Sequence, residues 1–276
     1  MKASIYILYF ICNLFPLHTY QQLSVEQHQK LLVIKFNRPA KKNALNRLAF
    51  RELTRAILSV TYEDSISTVA ITGVGDYFTA GHDLADMQEL CDGSELLKSV
   101  NYYLSSLIKA FVHCRKVLVA VVNGPCIGIG FTLCGLCDIV YCTENAYFEA
   151  PFAKLGICPE ACSSYLFPLI LGTSKASEVL YFGAKLSAQQ ALHFRFVADV
   201  LRREDLDTKF WSQLLQYAEL PTCSLRATKR LMHPLENRQK LLKTLDAECT
   251  ELAKLRTGEV YLNALKMFNS RNKSKL

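Results

Sequence analysis

Glu160 stands alone as a carboxylic acid in the run Leu155-Gly156-Ile157-Cys158-Pro159-Glu160-Ala161-Cys162-Ser163-Ser164-Tyr165, where no other residue is charged. A carboxyl among apolar neighbours is expected to hold its proton more tightly than in water. Such a group suits proton transfer to and from carbon near neutral pH. The negative charge which that chemistry creates needs hydrogen-bond donors. Two glycine-bearing turns earlier in the chain can supply main-chain N–H groups, Ala80-Gly81-His82-Asp83-Leu84 and Asn123-Gly124-Pro125-Cys126-Ile127-Gly128-Ile129-Gly130.

Each turn follows an expected strand. After Val69–Ile71, Gly81 lets the backbone approach a ligand closely, and the residues from His82 onward can open a helix toward an anion. An ordinary strand-to-helix loop with Asp83 as its cap fits the same residues. After Val117–Val122, Asn123-Gly124-Pro125 forms a bend and Gly128-Ile129-Gly130 opens the next helix. The glycine spacing does not match GxGxxG, and no Lys-Ser/Thr follows, which excludes dinucleotide and P-loop signatures. What is left is a turn that presents one N–H, assigned to Ile129.

The elements that position these residues read as α/β. Strands are expected at Leu31–Phe36, Ser67–Thr72, Val117–Val122, Asp138–Cys142 and Val197–Leu201. Helices are expected over Leu45–Val60, about Glu95–Val112 and Gly130–Cys137. From Ser163 onward the pattern turns mostly helical, with helices over Ser174–Phe182, Ser187–His193, Asp205–Leu220, Leu235–Leu252 and about Glu259–Phe268. The continuous apolar run Val117–Val122 predicts a strand buried on both faces.

The chain has 276 residues, half of them hydrophobic and 21% charged, enough for a packed core and unlike a disordered chain. Its net charge of +7 is dispersed. No basic stripe interleaved with aromatics is present, so nucleic acid is not an expected partner, whereas an anionic small ligand is compatible. Eleven cysteines, irregularly spaced and partly inside apolar runs, read as reduced, buried thiols. The Cys134-Gly135-Leu136-Cys137 pair lacks a second pair or a His cluster, so no metal site is expected. The apolar stretch Ile5–Phe15 is too short for a stable membrane span and no clear cleavage site follows it. The chain ends Ser274-Lys275-Leu276, the tripeptide read by the peroxisomal import receptor, which makes that receptor an expected partner and the peroxisome matrix the expected location.

Four segments occur in a telling order: Asn37-Arg38-Pro39 with Asn43-Ala44-Leu45, then Ala80-Gly81-His82-Asp83-Leu84, then Ala120-Val121-Val122-Asn123-Gly124, then Cys137-Asp138-Ile139-Val140. Together they resemble the crotonase (enoyl-CoA hydratase/isomerase) superfamily over roughly Leu31–Leu252. Lys41-Lys42, Pro159-Glu160 and Cys162-Ser163-Ser164-Tyr165 are closest to its peroxisomal Δ3,Δ2-enoyl-CoA isomerase branch. The resemblance implies a crotonase-type spiral of ββα repeats with two sheets and a helical C-terminal region that packs in a homotrimer. It divides the chain into an apolar leader at 1–25, a core domain at 26–215 and a C-terminal helical region at 216–276.

It also implies roles. The amides of His82 and Ile129 would bind a thioester oxygen, and Glu160 would move one proton of an acyl-CoA substrate. Ala80, Gly81, His82, Asp83, Leu84 and Gly128 would line the substrate, and Lys41 and Lys42 would meet the CoA phosphates. No separate cofactor is implied, because coenzyme A is part of the substrate. Thr132 and Phe152 occupy the places of the two hydratase glutamates, so hydration by that route is expected to be lost. The His82 side chain is expected to be structurally indifferent, and Phe148, Phe152 and Phe167 either wall an acyl tunnel or pack the core. The reaction implied is a double-bond shift from 3-enoyl-CoA to trans-2-enoyl-CoA in fatty-acid β-oxidation. A catalytically silent acyl-CoA-binding module, like the crotonase-like domain of chromodomain Y-like proteins, is the alternative.

Overall fold

In the computed structural model, residues 20–91 and 94–273 are described. The apolar leader and the Ser274-Lys275-Leu276 tripeptide therefore lie outside the described residues, apart from residues 20–25 of the leader range. Strand β1 (Leu23–His28) begins inside that range. β1 pairs antiparallel with β2 (Leu31–Phe36) and forms the sheet edge. Its alternation of apolar and polar residues is that of an edge strand with one wetted face.

Helix α1 (Arg47–Val60) follows, capped by the Asn46 side chain, which accepts the Ala49 N–H at 2.9 Å. The chain then runs through β3 (Thr68–Gly73), α2 (Leu84–Cys91), α3 (Ser94–His113) and β4 (Val117–Val122). Next come β5 (Cys126–Ile127), α4 (Ile129–Cys134), β6 (Ile139–Thr143) and β7 (Tyr147–Glu149). The second half contains α5 (Ser163–Leu171), α6 (Thr173–Phe182), β8 (Leu186–Ser187), α7 (Ala188–His193) and β9 (Asp199–Leu201). It closes with α8 (Trp211–Ala218), α9 (Thr222–Met232), α10 (Leu235–Arg256) and α11 (Glu259–Lys273).

The strands form two sheets, as expected. A six-stranded sheet has the order β1-β2-β3-β4-β6-β9, parallel from β2 onward, and a three-stranded sheet has the order β5-β7-β8. Both faces of the larger sheet are buried. Leu32, Ile34, Val69, Ile71, Leu118, Ala120 and Val122 join the main core, while Leu31, Val33, Ala70, Val119 and Val121 pack on the other face against Leu206, Phe210 and Leu214. This two-residue alternation between cores explains the uninterrupted apolar run of β4.

The loops leaving the carboxyl ends of β3 and β4 hold both glycine turns, the usual place for a ligand crevice in a parallel sheet. α10 packs on α3 and α5, and α11 packs on α2, so the C-terminal helices cover their own chain. Among the described residues no helix is long and apolar enough to cross a membrane, and the described cysteines are free thiols. Cys126 and Cys134 are in contact, with sulfurs 3.8 Å apart.

Candidate functional site

The two glycine turns abut. Thr79 and Cys126 form a bridge, with Thr79 N–H donating to Pro125 O at 3.2 Å and Ile127 N–H donating to Thr79 O at 3.0 Å. Gly81 sits at φ +89°, and a Cβ placed there would meet Ile127 O at 2.9 Å and Gly128 Cα at 3.6 Å. Only glycine combines that dihedral with that approach. Gly81→Ala is expected to cost about 1–3 kcal/mol through backbone strain, measured as a lowered midpoint in denaturant unfolding.

The hydrogen bonds of the first turn pass over one amide. Leu45 N–H donates to Gly81 O at 2.8 Å and Asp83 N–H to Leu45 O at 2.9 Å, while Gly81 N–H donates to Thr79 Oγ1 at 3.0 Å. The His82 N–H takes no part in this set. In the second turn Gly128 N–H is engaged by Glu149 O at 2.8 Å, and the first bond of α4 is Thr132 N–H to Gly128 O at 3.1 Å. Ile129 is the first residue of α4, so its N–H belongs to the unsatisfied first turn. Its side chain is fully buried in the core, leaving only the main chain for a ligand.

A cavity of about 740 Å³ opens beside these turns. Ala80, Gly81, His82, Asp83, Leu84, Gly128, Lys41, Lys42 and Glu160 all line it, which brings the expected substrate-binding positions together. Phe152 also borders the cavity, whereas Phe148 and Phe167 are packed with Phe131 and Phe196 in the core. Thr132 is fully buried, with its hydroxyl donating to Ile129 O at 3.2 Å. Asp83 does two jobs, accepting Ala85 N–H at 3.2 Å and pairing with Arg38 at 2.8 Å. Lys42 lies over the Tyr77 ring at 5.2 Å.

Glu160 is fully buried, but it is not isolated. Its Oε2 lies 3.1 Å from His82 Nε2 and 3.4 Å from Arg256 Nη2. Burial pushes the carboxyl pKa up, but attraction and hydrogen bonding from His82, with Arg256 behind them, outweigh it and hold the group below the ordinary carboxylate value. This corrects the expectation of a tightly held proton: sequence spacing could not show that His82 and Arg256 stand against the carboxyl. It also corrects the view of His82 as indifferent. Its ring is stacked on Phe50 at 4.9 Å and aimed at Glu160.

Arg256, at the end of α10, is the other unforeseen member. It is 1% exposed, and Nη1 donates to Asn101 Oδ1 at 2.7 Å. Two buried polar atoms here lack protein partners, Glu160 Oε1 and Arg256 Nε. Oε2 is thus anchored, and Oε1 has no hydrogen-bond partner in the protein.

The Glu160 main chain is fixed by strain that its neighbours stabilise. Ala161 and Cys162 both occupy left-handed backbone, at φ +57° and +63°. Glu248, buried on α10, accepts Cys162 N–H at 2.7 Å, Ser164 N–H at 3.0 Å and the Ser164 hydroxyl at 2.5 Å. Burial, opposed by these hydrogen bonds and reinforced by the nearby Glu160 charge, raises the Glu248 pKa. Ser163 Oγ closes the turn on Glu160 O at 2.7 Å. Glu248 escaped sequence reading because it sits on a long amphipathic helix, where an acid reads as a solvated residue.

Known proteins share this architecture. Residues 26–275 match the family model "Enoyl-CoA hydratase/isomerase". The chain is 40% identical to rat "Enoyl-CoA delta isomerase 2" over 86% of its own length, and spans 61% of that relative. It is 34% identical to mouse "Enoyl-CoA delta isomerase 3, peroxisomal", covering 90% of this chain and 78% of the relative. A solved enoyl-CoA hydratase/isomerase from Pseudoalteromonas atlantica T6c superposes with a TM-score of 0.81 at 31% identity, covering 91% of this chain and 98% of that one. On its sequence, its two-sheet fold and its glycine turns, the chain belongs to the enoyl-CoA hydratase/isomerase family, with the crotonase fold.

Proposed function

We propose that this chain is a Δ3,Δ2-enoyl-CoA isomerase. The observation that carries the reading is one buried carboxylate, Glu160, lining the same cavity as both glycine turns, with one oxygen anchored and the other free. The thioester carbonyl of a 3-enoyl-CoA accepts hydrogen bonds from the amides of His82 and Ile129. Glu160 Oε1 takes a proton from C2, the charge passes to the thioester oxygen as a dienolate, and the same carboxyl returns the proton to C4. Each amide contributes about 3 kcal/mol to the dienolate, and the base about 10²–10⁴-fold in rate.

Hydration needs a second acid–base group to deliver water, and Thr132 and Phe152 stand where hydratases place their glutamates. The low pKa of Glu160 makes it a weaker base but keeps it ionised at neutral pH, ready to accept the first proton. Lys41 and Lys42, at the cavity mouth, meet the CoA phosphates. A homotrimer, for which exposed Leu231, Met232 and Leu235 offer apolar surface, and a peroxisomal location, which the name of the mouse relative carries, complete the proposal.

The test is turnover of 3-hexenoyl-CoA and 3-dodecenoyl-CoA by the purified chain, followed as conjugated 2-enoyl product. Product formation supports the isomerase. Tight acyl-CoA binding without product supports the silent module instead.

His82 supplies a further expected result. His82→Ala keeps the main-chain amide while removing the strongest attraction that opposes burial at Glu160. In the wild type the acid limb of kcat/KM should lie below the ordinary carboxylate value of 4.5. In the variant it should move upward, toward neutral pH. A pH–rate profile that does not move would show that His82 does not set the protonation of the base.

A further inference from the structure

A second cavity, of about 300 Å³, lies at the amino-terminal end of β4, the opposite end of that strand from the catalytic cleft. Its walls come from the ends of α1 and α3 and from α9 and the first turn of α10, and its charged side chains are nearly all cationic: Arg115, Arg226, Lys229, Arg230 and Arg238. Asp64 matches Arg226 at 3.2 Å, and Asp138 matches Lys229 at 2.6 Å. Among the described residues, Arg115, Arg230 and Arg238 have no carboxylate within ion-pair distance. Arg115 instead lies over the Tyr62 ring at 5.3 Å.

Such crowding of like charge is unfavourable unless an anion shares the space. Two observations point to one. The Arg238 Nε is buried and has no acceptor in the protein, a loss that an anionic oxygen would repair. Arg238 also lies in the first turn of the long helix α10, whose free N–H groups favour negative charge. Consistent with a positive field, burial together with Arg238 and Lys109 lowers the pKa of His113 in the same wall.

We propose that this basic cavity binds a compact polyphosphate, with Arg115, Arg230 and Arg238 as its charge-assisted donors. At the lower end of ligand-pocket sizes, it suits a di- or triphosphate group rather than a whole nucleotide. That group can come from free polyphosphate or from the phosphates of a coenzyme A molecule. The site is separate from the catalytic cleft, so its test stands apart from the isomerase assay.

The experiment is calorimetric titration of the full chain with sodium tripolyphosphate at low salt. The wild type is expected to bind, with affinity falling as salt is added. Arg115→Gln and Arg230→Gln, both at exposed side chains, are each expected to weaken binding about tenfold, the loss of one charge-assisted hydrogen bond. The Lys41→Ala/Lys42→Ala variant removes the cleft lysines and is expected to retain the binding that Arg115→Gln and Arg230→Gln weaken. Competition by coenzyme A would identify a CoA phosphate as the occupant; lack of competition would identify free polyphosphate. The proposal is overturned if the wild type shows no heat of binding at millimolar tripolyphosphate. It is equally overturned if the Arg115→Gln/Arg230→Gln double variant binds as tightly as the wild type, or if the lysine variant is the one that loses binding.

Discussion

Glu160→Gln is expected to lose about 10²- to 10⁴-fold in kcat for 3-enoyl-CoA while still binding acyl-CoA. The amide has the shape of the carboxyl and keeps an oxygen near His82 and Arg256, but it cannot take the C2 proton. KM should change little, because in the proposed mechanism the thioester is bound by the main-chain amides of His82 and Ile129 rather than by this side chain. The variant also leaves Arg256 without its countercharge, at a cost of about 1–3 kcal/mol, so rates must be compared on protein shown to be folded. Turnover within a few-fold of wild type would remove Glu160 from the mechanism.

The second large effect is on stability. Arg256→Met is expected to destabilise the chain by about 3–5 kcal/mol. Arg256 is 1% exposed, and its guanidinium balances Glu160 at 3.4 Å while holding Asn101 at 2.7 Å. Methionine fills the volume but leaves a buried carboxylate with His82 as its remaining side-chain partner. For a chain of this size the melting temperature should fall by roughly 10 °C. Adding Glu160→Gln to Arg256→Met should recover part of the loss, since the double variant buries no unbalanced carboxylate.

The pH dependence follows from the direction of the Glu160 shift. Folding lowers its pKa below 4.5, so the folded state favours the ionised form. That contribution is complete above pH 4.5 and disappears as pH falls through the lower folded value. The stability gap between wild type and Arg256→Met should therefore narrow in acid. Thermal melts from pH 7 down to about pH 3 would measure it, and a gap that widens in acid would contradict the assignment of Arg256 as the countercharge.

Much of the fold was legible in local pattern. The apolar runs of β2, β3 and β4 announced strands, that of β4 a strand covered on both sides, and the helices with clear apolar stripes, α1 and α3 among them, fell close to their expected bounds. Elements without a core-facing stripe were missed. α9 was among them and contains no fully buried residue. β1 is a polar edge strand beside the leader, and β5, β7 and β8 are two or three residues long, below the length at which alternation shows.

The site divides along the same line. Glycines at sharp turns and an acid among apolar residues are local signals, and they led to Gly81, Gly128 and Glu160. The partners of Glu160 arrive from 78 and 96 positions away, His82 from the first turn and Arg256 from the end of α10. Arg256 lies in a stretch rich in lysines, where a basic residue reads as solvated; only the packing of α10 against α3 and α5 takes it out of water. The acidity of Glu160 was misjudged for this reason, because it depends on charges placed by tertiary structure.

The central claim is that one carboxyl oxygen serves both allylic carbons of a thioester held by two main-chain amides. A crystal structure of the wild type with bound trans-2-dodecenoyl-CoA tests it most directly. The account predicts a thioester oxygen about 2.7–3.1 Å from the nitrogens of His82 and Ile129, with Glu160 Oε1 about 3–3.5 Å from C2 and C4. A thioester oxygen bonded to neither amide, or an acyl chain whose C2 and C4 lie beyond the reach of Glu160, would contradict it.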